Sequence, residues 1–463
     1  MTVSSGTIPW NEMSEALIAK YGGQAPRYTS YPTAVEWKET FDATAFERAL
    51  EKTDTATADP LSIYVHIPFC IKRCHFCGCA SDVATDLKVY DAYLDVLLRE
   101  IEAVSARLPN RRQVTQLHFG GGTPTVLDSV RLERLVGALK HAFDFSAAEE
   151  LALEAAPAVT LPEQIETLGR LGFNRISFGV QDFTPAVQEA VNRVQSVDHT
   201  LSLIDTARGL GFAVNLDLMY GLPRQRIETW EENLRQVVAL RPSRLAVFGY
   251  AHVPWMRPHQ KLMNEAELPS AELRLALFRT AHERLTDAGY VYIGMDHFAL
   301  PEDALSRALA ARKLWRNFQG YTVRQASTLI GLGATAISDL GDAFAQNHPK
   351  TDAYSARAAV GLATSRGLET SAEDRLRRFV ITEIMCNLTL SFEDFEQRFG
   401  VRFSEHFAAE QAALEDLAAD GLVRLENDRI DVTALGRLFV RHVGLVFDQY
   451  SKPSGGEKFS RTV

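Results

Sequence analysis

Short apolar runs alternate with longer stretches of helical spacing through the middle of this 463-residue chain. β-rich runs fall near residues 61–66, 114–119, 150–155, 174–179, 212–218 and 243–249. Helical patterns fill the intervals, for instance over 90–108, 131–143 and 230–240. Parallel strands need a helical crossover between them, so the six repeats predict a parallel sheet. Polar and glycine residues gather just after the runs: a cysteine-rich loop after the first, Gly120–Thr125 after the second, Glu154 at the end of the third. In a curled parallel sheet such positions share the rim where active sites are built. Six repeats are too few for a closed eight-fold barrel, so the expected α/β fold is a partly open (β/α)6 parallel barrel.

The flanks read differently. Residues 1–55 form an N-terminal extension, and its Pro26–Thr33 stretch holds too many turn formers to be one long helix. The barrel, with its site, is expected over 56–345; its last part carries a helix over 271–288, then 290–298 and 317–333. Residues 346–463 predict a mainly helical domain, with helices over 374–386, 391–398 and 405–420. Two short β runs around Asn427–Asp428 give it a winged-helix-like end.

Composition narrows the class. With 46% hydrophobic residues the chain can bury a large core. A net charge of −10 argues against a nucleic-acid partner, and the winged-helix-like end lacks a dense basic face. No run of about 20 apolar residues predicts a membrane span. The first ten residues lack the basic-then-apolar order of a signal peptide, so a cytoplasmic location is expected.

Four of the five cysteines, Cys70, Cys74, Cys77 and Cys79, lie within ten residues of each other. Four-cysteine zinc sites come as two C-x2-C pairs with a longer spacer, and no second pair follows here. Three thiolates on an irregular loop suit three irons of a [4Fe–4S] cube whose fourth iron stays open. Cys70, Cys74 and Cys77 are therefore read as the ligands, and Cys79 as either a fourth ligand or a free thiol. Cys386, in an apolar helical pattern, reads as a core thiol.

At these residues the chain resembles the radical S-adenosylmethionine (SAM) superfamily. His66–Cys70, Cys77–Gly78–Cys79, Phe178–Asp182, Asn192–Gln195 and Asp217–Pro223 are similar to the coproporphyrinogen dehydrogenase group. Pro26–Thr33, Gly294–Phe298, Asn317–Thr322 and Phe459–Arg461 narrow the likeness to the oxygen-independent coproporphyrinogen III oxidases. The resemblance implies a [4Fe–4S] cluster and two SAM molecules, with contacts at Tyr64, Phe76, Gly121, Gly122, Thr123, Glu154, Gln181, Arg193, Asp217, Ala251 and Ile337. It implies oxidative decarboxylation of two propionates of coproporphyrinogen III to vinyl groups, giving protoporphyrinogen IX. A low-potential electron donor of the flavodoxin type and a monomeric state are implied as well. Read by themselves, the residues agree in type: Arg193 offers a fork for a carboxylate, and Glu154 and Asp217 offer acceptors. Arg27, Arg257, Arg316 and Arg324 are candidates for substrate carboxylates, and His297 for the substrate cavity.

Two departures stand out. After Glu154 the family continues with Asp–Pro–Arg, where this chain has Ala155–Ala156–Pro157–Ala158; after Cys79 a polar pair is replaced by Ala80–Ser81. The alternative reading is a haem-binding chaperone relative that keeps the cluster and lacks the decarboxylase activity. That group lacks the Cys79 equivalent and the Arg27–Thr33 stretch, both present here.

Overall fold

The computed structural model describes residues 8–56, 59–323, 326 and 328–451. The chain divides into two compact units, one of residues 37–278 and 326–369, the other of 1–36, 279–325 and 370–463.

The larger unit is built on six consecutive parallel strands: β1 (Leu61–Ile67), β2 (Val114–Gly121), β3 (Glu150–Ala155), β4 (Arg175–Gln181), β5 (Ala213–Tyr220) and β6 (Arg244–Gly249). Helices α1 (Leu87–Ala106), α2 (Ser129–Ala142), α3 (Pro162–Arg170), α4 (Val197–Gly209) and α5 (Ile227–Leu240) make the crossovers. Their starts are written locally. Asp86, Asp128 and Ser196 accept from Lys88, Arg131 and His199 backbone N–H groups and cap α1, α2 and α4. Leu94, Leu97, Ile101 and Val104 repeat at helical spacing and bury the inner stripe of α1. Each such side chain contributes roughly 1.5–3 kcal/mol by leaving water.

The sheet does not end at β1. On its other side lies β7 (Thr328–Leu332), parallel to it, followed by the antiparallel strands β8 (Ile337–Asp339), β9 (Ala343–Asn347) and β10 (Thr364–Glu369). The barrel is open, as expected, and carries four strands that the six-repeat pattern does not contain. β7 is buried at every position, so it shows no alternation by which a surface strand is recognised.

Burial along the central strands separates two faces. In β5 the positions Val214, Leu216 and Leu218 are buried, while Asn215 and Asp217 turn to the half-open face. Tyr64, His118, Glu154 and Ser177 are the corresponding half-buried positions of β1 to β4. Period-two geometry thus gathers the polar residues on one surface of the sheet.

The smaller unit has its own core. A hairpin of Val291–Gly294 and His297–Ala299 packs Tyr292 and Phe298 against His282, with Trp10 set edge-on. Its last part carries the helices Ala372–Thr382, Phe392–Phe399 and Ala408–Ala419, and a three-stranded sheet of Thr389–Ser391, Val423–Leu425 and Arg429–Val432. The arrangement is the helical, winged-helix-like end expected from the sequence. Phe392 and Phe403 stack, and Phe395 and Phe407 meet Phe403 and each other edge-on or tilted.

Candidate active site

The cysteine loop leaves the end of β1 and is tied at several points. Phe69–Cys70 pairs in parallel with Asp82–Val83, Ala84 N–H donates to the Cys70 carbonyl at 3.1 Å, and His75 N–H to the Val191 carbonyl at 3.0 Å. Asn192 Nδ2 donates to the Arg73 carbonyl at 3.0 Å. The loop is irregular in backbone, and these bonds tie it to its neighbours at both ends and in the middle.

Each thiol has a distinct neighbour. Cys70 Sγ lies 3.4 Å from Thr123 Oγ1. Arg193 Nη1 points at Cys74 Sγ, also at 3.4 Å. Cys77 Sγ receives the Cys79 backbone N–H at 3.4 Å, and hydrogen bonding from Cys79 holds the Cys77 thiol below its ordinary range. Burial pushes Cys70 the other way. Cys70, Cys74 and Cys77 are half-buried and Cys79 is exposed.

The glycine run closes on this loop. Gly122 N–H donates to the Ile67 carbonyl and Thr123 N–H to the Phe69 carbonyl, both at 2.8 Å. A Cβ on Gly122 would stand 2.5 Å from the Phe69 oxygen, and one on Gly121, at φ +116°, 2.6 Å from the His66 ring. Only glycine permits that approach. Gly121 N–H also donates to Glu154 Oε2 at 3.2 Å, and His118 Nε2 stands 3.4 Å from Glu154 Oε1.

Farther along the rim, Gln181 ends β4 in the left-handed region (φ +67°), with its Oε1 buried and without a partner. Arg193 Nη2 donates to the Gly179 carbonyl at 2.5 Å, and its Nε is likewise buried and unpartnered. Asp217 accepts from Ser177 Oγ at 3.1 Å; burial, then the nearby Glu154 carboxylate, push it up to about 7.

Residues 64–237 match the Radical SAM superfamily, and residues 370–439 the HemN C-terminal domain. The oxygen-independent coproporphyrinogen III oxidase of Synechocystis is 42% identical over 464 residues, covering 99% of this chain and 99% of that protein. Its namesake from Escherichia coli K12 is 42% identical over 451 residues, covering 97% and 98%. The solved structure of coproporphyrinogen III oxidase (HemN) from Escherichia coli, described as a radical SAM enzyme, superposes with a TM-score of 0.89 at 40% identity, covering 95% of this chain and 99% of that one. The chain belongs to the oxygen-independent coproporphyrinogen III oxidase family.

The donor set fits the groups that membership in this family implies. Among the described residues no three His, Cys, Asp or Glu side chains converge as they would on a single metal ion. A cube takes each thiolate at a separate iron, so its ligands stand apart around it. The glycine cradle beside Cys70 and the unpartnered Gln181 Oε1 and Arg193 Nε are free donors and acceptors of the kind a methionyl group needs.

The remaining residues implied by the family resemblance are spread more widely. The Phe76 ring packs into an apolar cluster with Val187, Val191, Leu222, Tyr250 and Met263, leaving its carbonyl to face a polar partner. That partner is Gln260, which donates to the Phe76 carbonyl at 3.1 Å and the Ala251 carbonyl at 3.2 Å and accepts from Val253 N–H at 2.6 Å. His259 Nε2 stands 2.7 Å from the Cys77 carbonyl. Ile337 lies on β8, pairing with Gln346 in β9. Arg324 and Phe459–Arg461 lie outside the described residues. Sequence reasoning passed over His259, Gln260 and His118. The first two sit in a proline-punctuated segment without periodicity, and the only signal for His118 was its place on the polar face of β2.

Proposed function

We propose that this protein oxidatively decarboxylates two propionate side chains of coproporphyrinogen III to vinyl groups, giving protoporphyrinogen IX without oxygen in haem and tetrapyrrole biosynthesis. The observation that carries the reading is the closure of Gly121–Thr123 onto the Cys70 loop, with Arg193 aimed at Cys74, in a chain related over its full length to enzymes of that name. Cys70, Cys74 and Cys77 are the proposed cluster ligands. When bound there, the cluster and SAM supply a hydrogen-abstracting radical, the chemistry that oxidation of an unactivated propionate β-carbon requires.

The chain's own residues place the cofactor and keep it dry. Thr123 and the glycine backbone lie beside Cys70 for the methionyl group; Glu154 and Asp217 offer acceptors; Arg193 and Gln181 offer their unpartnered atoms. Tyr64, Phe76, Ala251 and Ile337 complete the proposed contacts, which serve two SAM molecules. For each propionate one hydrogen atom is removed, carbon dioxide leaves and one electron passes to an external acceptor. Residues 1–55 are proposed to contribute to the active site beside the barrel of 56–345 and the helical domain of 346–463. A low-potential donor of the flavodoxin type, a monomeric state and a cytoplasmic location complete the reading. None of the described helices is long and apolar enough to cross a membrane.

Anaerobically reconstituted protein, given a low-potential reductant, SAM and coproporphyrinogen III, is expected to yield protoporphyrinogen IX. SAM cleavage without any vinyl product, together with stable haem binding, would replace this reading by the chaperone one.

A further inference from the structure

Three segments of the smaller unit come together around one cation. Arg27, from the Pro26–Thr33 stretch, pairs with Asp296, and its carbonyl accepts from Arg316 Nε at 3.3 Å. The Arg316 guanidinium lies 4.8 Å over the Tyr321 ring, and the same ring meets His297 edge-on at 5.4 Å. Arg316 is 8% exposed, and its Nη1 is buried with no partner.

Of the other buried guanidinium groups in this unit, Arg441 donates to the Ala25 and Pro26 carbonyls, while Arg437, 4.7 Å over the Tyr292 ring, donates from Nη2 to the Tyr292 and Ile293 carbonyls and leaves its Nε buried without a partner. Arg316 has a single carbonyl and an aromatic face. Asp296 is already engaged by Arg27. Cys386, close enough to feel the Arg316 charge, is pushed above the ordinary thiol range by burial and stays neutral, so it provides no counter-charge. A buried cation without an anion is a costly arrangement, and an incoming carboxylate relieves it. A planar guanidinium fixed on an aromatic ring is the group best suited to take that carboxylate by two parallel hydrogen bonds.

We propose that Arg316 forms a carboxylate subsite of the smaller unit, receiving one propionate of the tetrapyrrole substrate on a guanidinium that lies over the Tyr321 ring. The assignment rests on the functional reading above and separates Arg316 from Arg27. Arg27 already has its partner in Asp296 and serves to hold the segment.

The test titrates the anaerobic holoenzyme with coproporphyrin III, the fluorescent oxidised form of the substrate, and with its tetramethyl ester. Arg316→Gln is expected to weaken coproporphyrin III binding about 10- to 100-fold, the span of charge-assisted hydrogen bonds. Ester binding, iron content and substrate-free SAM cleavage stay at wild-type levels. Arg316→Lys, which keeps the charge and loses the fork, is expected to fall between the two. Unchanged coproporphyrin III binding, or an equal loss for acid and ester, would overturn the subsite while leaving the functional reading intact. A wild-type holoenzyme that bound no coproporphyrin III would overturn both. Should the glutamine variant fail to fold, the lysine variant decides alone: a raised KM with kcat retained supports the subsite, and an unchanged KM refutes it.

Discussion

Arg193 holds the Gly179 carbonyl with Nη2 at 2.5 Å and presents Nη1 to the Cys74 sulfur at 3.4 Å, so one guanidinium joins the end of β4 to the cysteine loop. The guanidinium thus ties a sulfur of the proposed ligand set to the strand end, and the remaining Nε is left for a ligand. Arg193→Leu is therefore expected to lower iron and sulfide retention after anaerobic desalting, and to slow SAM cleavage by about 10-fold or more. Arg193→Lys should retain the cluster better than it retains SAM cleavage. Equal cluster content and cleavage in wild type and the leucine variant would remove Arg193 from the site.

The glycine cradle predicts a sharp contrast between two glycines of the site, Gly122 and Gly78. Gly122→Ala sets a Cβ 2.5 Å from the Phe69 carbonyl oxygen, whereas a Cβ on Gly78 meets nothing within 4 Å. The first change should displace the glycine segment from the loop and raise the apparent Kd for SAM about 10-fold or more; the second should leave it near wild type. Equilibrium binding of SAM to the reconstituted protein measures both. Equal affinities for the two variants would contradict the close approach.

Gln260 makes three backbone hydrogen bonds from a buried position, two of them to the carbonyls of Phe76 and Ala251. Gln260→Leu leaves those groups unsatisfied and is expected to cost about 1–3 kcal/mol in urea unfolding. The loosened loop should also bleach faster in air at the cluster's visible absorbance. Gly137→Ala, on the surface side of α2 with nothing within 4 Å, is the control with the opposite sign, expected to raise stability by about 0.5–1 kcal/mol and to leave bleaching unchanged. Wild-type bleaching in Gln260→Leu would limit the residue to a packing role.

Glu100 on α1 accepts from Gly333 N–H at 2.7 Å, Asn347 Nδ2 at 2.5 Å and Tyr354 OH at 2.7 Å, and joins the added strands to the helix. Burial pushes its carboxyl up to about 7, despite the lowering effect of these donors. Between its ordinary range and pH 7 the folded chain holds a proton that the unfolded chain has released. Stability therefore falls as pH rises through that window and levels off above it. Urea midpoints of the apo-protein from pH 5 to 8 should show this decline, and Glu100→Gln should flatten it. A midpoint that rose over the same window in wild type and not in the variant would give Glu100 the opposite sign.

The six central strands were readable because helices of clear periodicity separate them, and because the crossover rule turns that alternation into a parallel sheet. Glu154 and Asp217 were readable as strand residues at the rim; Gln181 lies beyond the expected run of 174–179 and entered only through the family resemblance, while the structure carries the strand on to it. β7 was not readable, since its partner β1 is distant in sequence and nothing local records the pairing; full burial also removes its alternation. Phe76 shows a different limit. An aromatic residue beside cysteines suggests a stacking face, yet its ring enters the core and its carbonyl meets Gln260. The sequence names the residue without saying which of its atoms faces the site. Gln260 and His259 gave no signal because polar contacts to backbone groups leave no pattern in the sequence.

The most direct measurement is the yield of vinyl product and carbon dioxide from coproporphyrinogen III, compared anaerobically in wild type, Cys74→Ser and Cys386→Ser. Wild type and Cys386→Ser should release two carbon dioxide molecules per protoporphyrinogen IX formed, while Cys74→Ser should form neither product and leave SAM intact. Full activity and a full cluster in Cys74→Ser would contradict the three-cysteine site, and a wild type that cleaves SAM without releasing carbon dioxide would contradict the reaction.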